Sequence, residues 1–310
     1  MNWTEVGTFL FIPADAERMV AGAHRRGAGA IILDLEDAIA PSNKDAARDK
    51  LAGSVAVLAE HALTTVVRVN NEPDRLVDDI RAAARPGVHA IILPKVESAS
   101  VCLYVDGALA VAERAAGLPE RSIGVIAVIE HPSAMRCLDA IAAATPRVVA
   151  LGFGSEDYAS AVGTRATFES MAMPAQAVAI AARGRGLAVF GVPGSVGIID
   201  DEAAFKALAR AAAAFGYTGI LCIHPRQVAM ADEALAPSVE EVSRARRIVE
   251  AFDRSVASGS GAIAVDGRMI DGPVALQAKR VLALADRHHA RHRRTTLHVA
   301  ENVAGRDAPS

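Results

Sequence analysis

Two acids punctuate the most apolar part of the chain. IGVIAVIE ends on Glu130, and RVVALGFG is followed at once by Ser155, Glu156 and Asp157. A carboxylate closing an apolar strand is costly to bury unless it is paired or holds a cation. The chemistry that suits two such ends is the holding of a hard divalent cation. Magnesium takes one or two carboxylates and leaves its other positions to water and substrate. The device recurs along the chain. AIILDL opens onto Glu36 and Asp37, TTVVRVN carries Arg68 and Asn70, and AIILPKV carries Lys95 with Glu97 just behind. Glu130 is followed by His131, and GILCIH ends on His224. No second histidine stands near a carboxylate with zinc-like spacing, so magnesium is expected over zinc. Taken singly, each acid has a plainer explanation. Asp157 could cap a helix, and Glu36 could pair with Arg68 or Lys95. Their recurrence at five strand ends favours a common site.

Such residues meet only if the strands carrying them run parallel and side by side. Short runs rich in Val and Ile, bounded by Gly or Pro, predict strands at 7–13, 30–35, 64–70, 90–96, 123–130, 147–154, 188–192 and 219–224. Between them, amphipathic stretches predict helices at 16–27, 41–61, 74–85, 99–116, 132–144, 175–185, 200–215 and 225–235, with a longer connection after Asp157. Regular alternation of this kind implies a parallel sheet, and eight units closing on themselves make a (β/α)8 TIM barrel. A doubly wound open sheet would need a reversal of strand order that the even spacing does not suggest. In a barrel of this type functional groups gather at the C-terminal ends of the strands, which is where the acids and cations stand.

The expected organisation is a barrel with the metal site over residues 1–236, C-terminal helices and a lid over 237–288, and a flexible tail over 289–310. The lid is read in GSGAIAVDGRMIDGPV, which is rich in glycine and turn residues. The appendage is too small for its own core, so it is expected to pack on the barrel or on another subunit.

Composition excludes several classes. The 310 residues carry a formal charge of −3, which gives no reason to expect nucleic acid as a partner. No apolar run approaches the roughly 20 residues of a membrane helix, and the N-terminus lacks the charged start and apolar core of a signal peptide. Three widely spaced cysteines form no metal or redox spacing and suit a cytoplasmic protein.

The motifs LFIPADAERM, AIILDLEDAIAPSNKDAAR with its K-x-x-A-R run, VVRVN, AIILPKVES, VIAVIE, FGSEDYASAVG, GILCIHPRQV and GAIAVDGRMIDGPV occur in one order from Leu10 to about Leu284. In these the chain resembles the citrate lyase β-subunit and malyl-CoA lyase family of acyl-CoA carbon–carbon lyases, within the HpcH/HpaI aldolase superfamily. The resemblance implies Mg²⁺ held by Glu130 and Asp157. It implies that Arg68 reaches a substrate oxygen, that Glu36 and Asp37 act near the metal waters, and that Gly154, Ser155 and Glu156 border the substrate. Asp271 of GRMIDGP matches an acid delivered by a neighbouring subunit's lid; read alone, I-D-G-P is a turn. The resemblance also implies a homotrimer or hexamer. The implied reaction is aldol or Claisen-type cleavage of a β-hydroxyacyl-CoA, such as malyl-CoA or citramalyl-CoA, to an acyl-CoA and a 2-oxo acid, or its reverse. Alternatives on the same site are a β-hydroxyacyl-CoA thioesterase and a CoA-independent 2-oxo-acid aldolase; a non-enzymatic alternative is a lyase-complex subunit. The chain departs from the family pattern at Pro13-Ala14, His131, Ala161 and FGVPGSVG. These positions bear on the substrate rather than on the metal pair.

Overall fold

The structure, a computed structural model, describes residues 1–286 and 288. Eight parallel strands close into a barrel in chain order. They are β1 (Gly7–Pro13), β2 (Ala30–Asp34), β3 (Thr65–Arg68), β4 (Val88–Leu93), β5 (Gly124–Ile129), β6 (Val148–Phe153), β7 (Ala188–Gly191) and β8 (Gly219–Cys222). Closure comes from pairing β1 with β8 in the register Gly7↔Gly219 to Leu10↔Cys222. The strands read as apolar runs because both faces are buried. Phe9, Ile32, Val66, Ile92, Ile126, Val128, Phe190 and Leu221 fill the interior. Their neighbours in sequence, such as Ile31 and Leu33, are fully buried on the opposite face.

The helices of the barrel are α1 (Glu17–Ala21), α2 (Lys44–Glu60), α3 (Pro73–Ala83), α4 (Ala99–Ala115), α5 (Leu138–Ala142), α6 (Ser155–Val162), α7 (Phe168–Gly184), α8 (Glu202–Phe215) and α9 (Pro225–Leu235). Four of them differ from expectation. The segment predicted as one helix over 16–27 is α1 followed by a 3₁₀ turn, Ala23–Arg26, stopped by Gly27 at φ +73°. The one over 132–144 is a 3₁₀ turn, Pro132–Arg136, then α5. The long connection after Asp157 is largely helical: α6 begins at Ser155 directly off β6, and α7 starts seven residues earlier than predicted, at a Thr167–Ser170 capping box.

The chain divides into two compact units, Met1–Glu233 and Ala234–Ser310. Among its described residues the second holds α10 (Val239–Ala257), the hairpin β9 (Ile263–Val265) and β10 (Arg268–Ile270), and a helix over residues 272–286. Asp266 and Gly267, both at positive φ, make the hairpin turn. Ala245, Ile248, Ile270, Ala275 and Ala278 form a small apolar cluster of this unit's own. The tail expected over 289–310 lies outside the described residues.

Candidate active site

Strands β2 to β6 deliver polar groups at the same rim. Asp34, the last residue of β2, is fully buried. It accepts from Arg68 Nε at 2.7 Å and from Nη2 at 2.5 Å. It also accepts from the backbone of Glu36 and Ala38, at 2.9 and 3.1 Å, and so shapes the loop after its own strand. The guanidinium lies 4.6 Å from the centre of the Phe11 ring. Arg68 Nη1 is left facing Glu36 at 3.0 Å and Asp37 at 3.4 Å. Burial alone would lower the pKa of Arg68; the bidentate pairing with Asp34 outweighs it and raises the pKa.

Lys95 joins two of the acids. Its ammonium donates to Glu36 Oε1 at 2.5 Å, and its backbone N–H donates to Glu130 Oε1 at 2.9 Å. It does this at φ +52°, a left-handed conformation that a lysine rarely adopts. Burial raises the Glu36 pKa against the opposing pull of Arg68. Glu36 Oε2 is buried without a hydrogen bond directed at it.

Glu130 follows β5 and is 5% exposed. Burial, with Asp157 and Glu36 nearby, pushes its carboxyl up to about 8 despite the Lys95 amide. Asp157 stands in the first turn of α6 and is exposed, as is Glu156. Gly154 is required between them: a Cβ there would lie 2.7 Å from Glu130 Oε2. Ser155 donates to Gly194 O at 2.5 Å, and Glu156 accepts from Ser195 Oγ and, at 3.4 Å, from Gly197 N. These bonds draw the loop after β7 over the site.

Together the groups enclose a cavity of about 250 Å³ lined by Asp37, Arg68, Glu130, Gly154, Ser155, Glu156 and Asp157 on one side and by apolar side chains on the other. The barrel thus brings the predicted rim residues to one place, with Glu36 behind Arg68. Asp271 stands in the second unit, where its Oδ1 accepts from Val274 N at 3.2 Å and caps the final helix. His131 turns away into a cluster of its own: Nδ1 lies 2.7 Å from Ser133 Oγ, which donates to Glu97. His224 Nδ1 accepts from Arg226 N. Asp34 was not among the predicted site residues. Its signal is its register: it shares the inward face of β2 with Ile32, where an acid needs a partner.

The donor set fits a hard divalent cation. Glu130 and Asp157 offer carboxylate oxygens on one cavity, and burial with Asp157 nearby raises the Glu130 pKa, a strain that a bound cation would relieve. No group of three or more His, Cys, Asp or Glu side chains converges for a metal among the described residues.

A closed parallel barrel with paired acids and an anchored arginine at the C-terminal ends of its strands has the layout of a (β/α)8 barrel enzyme. The family is narrower. The model of the HpcH/HpaI aldolase/citrate lyase family matches residues 8–225, and the chain belongs to that family. It is 32% identical to the citrate lyase subunit beta of Escherichia coli K12, over 90% of this chain and 93% of that one. It is likewise 32% identical to an L-malyl-CoA/beta-methylmalyl-CoA lyase of Cereibacter sphaeroides, over 88% and 91%. Among solved structures it resembles CitE of Mycobacterium tuberculosis in complex with magnesium, acetoacetate and coenzyme A, at 30% identity and a TM-score of 0.73, covering 91% of this chain and 99% of that one.

Proposed function

We propose that the protein is a Mg²⁺-dependent lyase of CoA esters that cleaves a β-hydroxyacyl-CoA to an acyl-CoA and a 2-oxo acid, and catalyses the reverse condensation. The observation that carries this reading is the Glu130–Asp157 pair beside Arg68 on one cavity, with burial raising the Glu130 pKa. The relatives named citrate lyase and malyl-CoA lyase support it. So does the related structure holding magnesium and coenzyme A.

Glu130 and Asp157 would hold the metal, which when bound supplies Lewis-acid polarisation of the oxo-acid carbonyl. Arg68 Nη1 faces the cavity with its other nitrogens fixed by Asp34, so its charge is preorganised for oxygen that becomes anionic as the C–C bond breaks. In cleavage the substrate hydroxyl loses its proton, the C–C bond electrons pass to the thioester enolate, and a proton returns to its α-carbon. Asp271, reaching the cavity from a neighbouring subunit, is the acid proposed for that last transfer. Glu36, tied to Lys95 and Arg68, holds the acid loop in place, and Asp37 faces solvent beside Arg68. The apolar side of the cavity keeps water from the enolate. A shared Asp271 calls for a homo-oligomer, and the family resemblance implies a trimer or hexamer. Three free cysteines, two of them buried, suit a cytoplasmic setting.

The test is turnover of malyl-, citramalyl- and citryl-CoA with Mg²⁺, monitored for both products. A 2-oxo acid and acetyl-CoA should appear together, and Asp157→Ala should abolish metal-dependent turnover. Free CoA without C–C cleavage, or full activity in Asp157→Ala, would sink the reading.

A further inference from the structure

The loop after β7 reads PGSVGI over residues 193–198 and lies outside any helix or strand, yet it is held from two neighbouring elements. From the start of α6, Ser155 donates to Gly194 O at 2.5 Å, and Glu156 accepts from Ser195 Oγ and from Gly197 N. From α9, Gln227 donates Nε2 to Val196 O at 2.6 Å and to Ile198 O at 3.0 Å. Every residue from Gly194 to Ile198 is thus bonded from outside the loop.

Gln227 also reaches a second segment. Its Oε1 accepts from Ile223 N at 2.9 Å and from His224 N at 3.0 Å. The bond to His224 has a plain local explanation. α9 begins at Pro225, so Gln227 stands at its third position, where Gln or Glu reaches back to the amide just before the helix. A glutamate serves that purpose as well as a glutamine. It has no donor, however, for the two carbonyls on the other side. Gln227 is fully buried, so a carboxylate there would face Val196 O and Ile198 O without water between them. The Nε2 bonds give the side chain a task that helix capping does not explain.

Both joined segments line the cavity, the first through Val196 and the second through Ile223, whereas Gln227 itself does not. We infer that Gln227 is a positioning residue for the carbon–carbon cleavage: its amide ties the loop after β7 to the end of β8 and so fixes the wall of Val196 and Ile223 against which substrate is held. This rests on the lyase reading above. A wall that drifts leaves substrate loosely placed and admits water beside it.

The test compares Gln227→Glu and Gln227→Leu with the wild type on malyl-, citramalyl- and citryl-CoA in Mg²⁺. The first variant keeps the acceptor and loses the donor; the second loses both. In each, kcat/KM should fall about 10- to 100-fold, with most of the loss in KM. A glutamine that only capped α9 would leave Gln227→Glu with the wild-type KM. One that only supported folding would reduce the active fraction, lowering apparent kcat at an unchanged KM. Either result overturns the inference and leaves the lyase reading standing. If neither variant folds, amide hydrogen exchange of the wild-type protein decides: without substrate, residues 196–199 should exchange as slowly as Ile223 and His224. Fast exchange at 196–199 beside slow exchange at Ile223 and His224 would reduce Gln227 to a cap. Absence of C–C cleavage by the wild type with all three thioesters overturns the lyase reading, and this inference with it.

Discussion

Glu130 is the residue on which the site's electrostatics turn. Its carboxyl is pushed up to about 8 from the ordinary 4.5, by burial first and then by Asp157 and Glu36. The consequence for stability has a definite sign. Between pH 4.5 and 8 the unfolded chain has released this proton and the folded one keeps it. Unfolding therefore releases a proton, and stability conferred by this group falls as pH rises through that window, then levels off. Thermal unfolding of the metal-free protein across that range should show the decline, and Glu130→Gln should flatten it. Added Mg²⁺ should restore stability most at the alkaline end, where the carboxylate is free to bind it. A metal-free protein whose stability rises from pH 5 to 8 in step with Glu130 would contradict the assignment. At this scale much of the site was legible: acids and cations ending apolar strands point to the rim before any coordinates. What was not legible is the work of Asp34. It lies inside AIILDL, where strand reading counts apolar neighbours, and only its parity with Ile32 marks it as inward-facing.

At the scale of elements, the loop between β2 and α2 shows how the fold holds its acids. Lys44 opens α2 and donates its ammonium to Leu35 O at 3.1 Å, Glu36 O at 2.6 Å and Asn70 Oδ1 at 2.8 Å. Arg48, one turn on, bonds the fully buried Asp79 at 2.6 Å, and Asp79 in turn accepts from Asn70. The K-x-x-A-R run is therefore a clamp that ties helix, acid loop and the end of β3 together. Lys44→Met should lower kcat about 10- to 100-fold through displaced Glu36 and Asp37. Lys44→Arg should recover part of that loss, with cooperative unfolding retained in both. Unaltered kcat in Lys44→Met would remove the clamp from the catalytic account. The barrel itself was readable because eight apolar strands alternate with helices at even spacing. The short helix α6 was not. SEDYASAV is only two turns long, carries its two acids in the first turn, and follows a strand with no intervening loop, so periodicity has little to act on.

For the whole molecule, the reading proposed above gives the C-terminal unit, which has its own apolar cluster, an acid that serves a neighbour's barrel rim. Asp271 follows β10 and caps the helix that begins at residue 272, which fixes its backbone at the helix start. The cap engages Oδ1 of a half-buried Asp271. If each site combines one subunit's rim with its neighbour's Asp271, two inactive variants can restore each other. Arg68→Ala spoils the rim and spares the lid; Asp271→Ala spoils the lid and spares the rim. Mixed after dissociation and reassembly at equal amounts, a site draws an intact rim with probability one half and an intact lid with probability one half. Activity should then return to about one quarter of the wild-type value. A lid acting within its own chain predicts no recovery at any mixing ratio, because every subunit would carry one defect. Assaying citramalyl-CoA cleavage against mixing ratio separates the two, since the first follows the product of the two fractions and peaks at equal amounts.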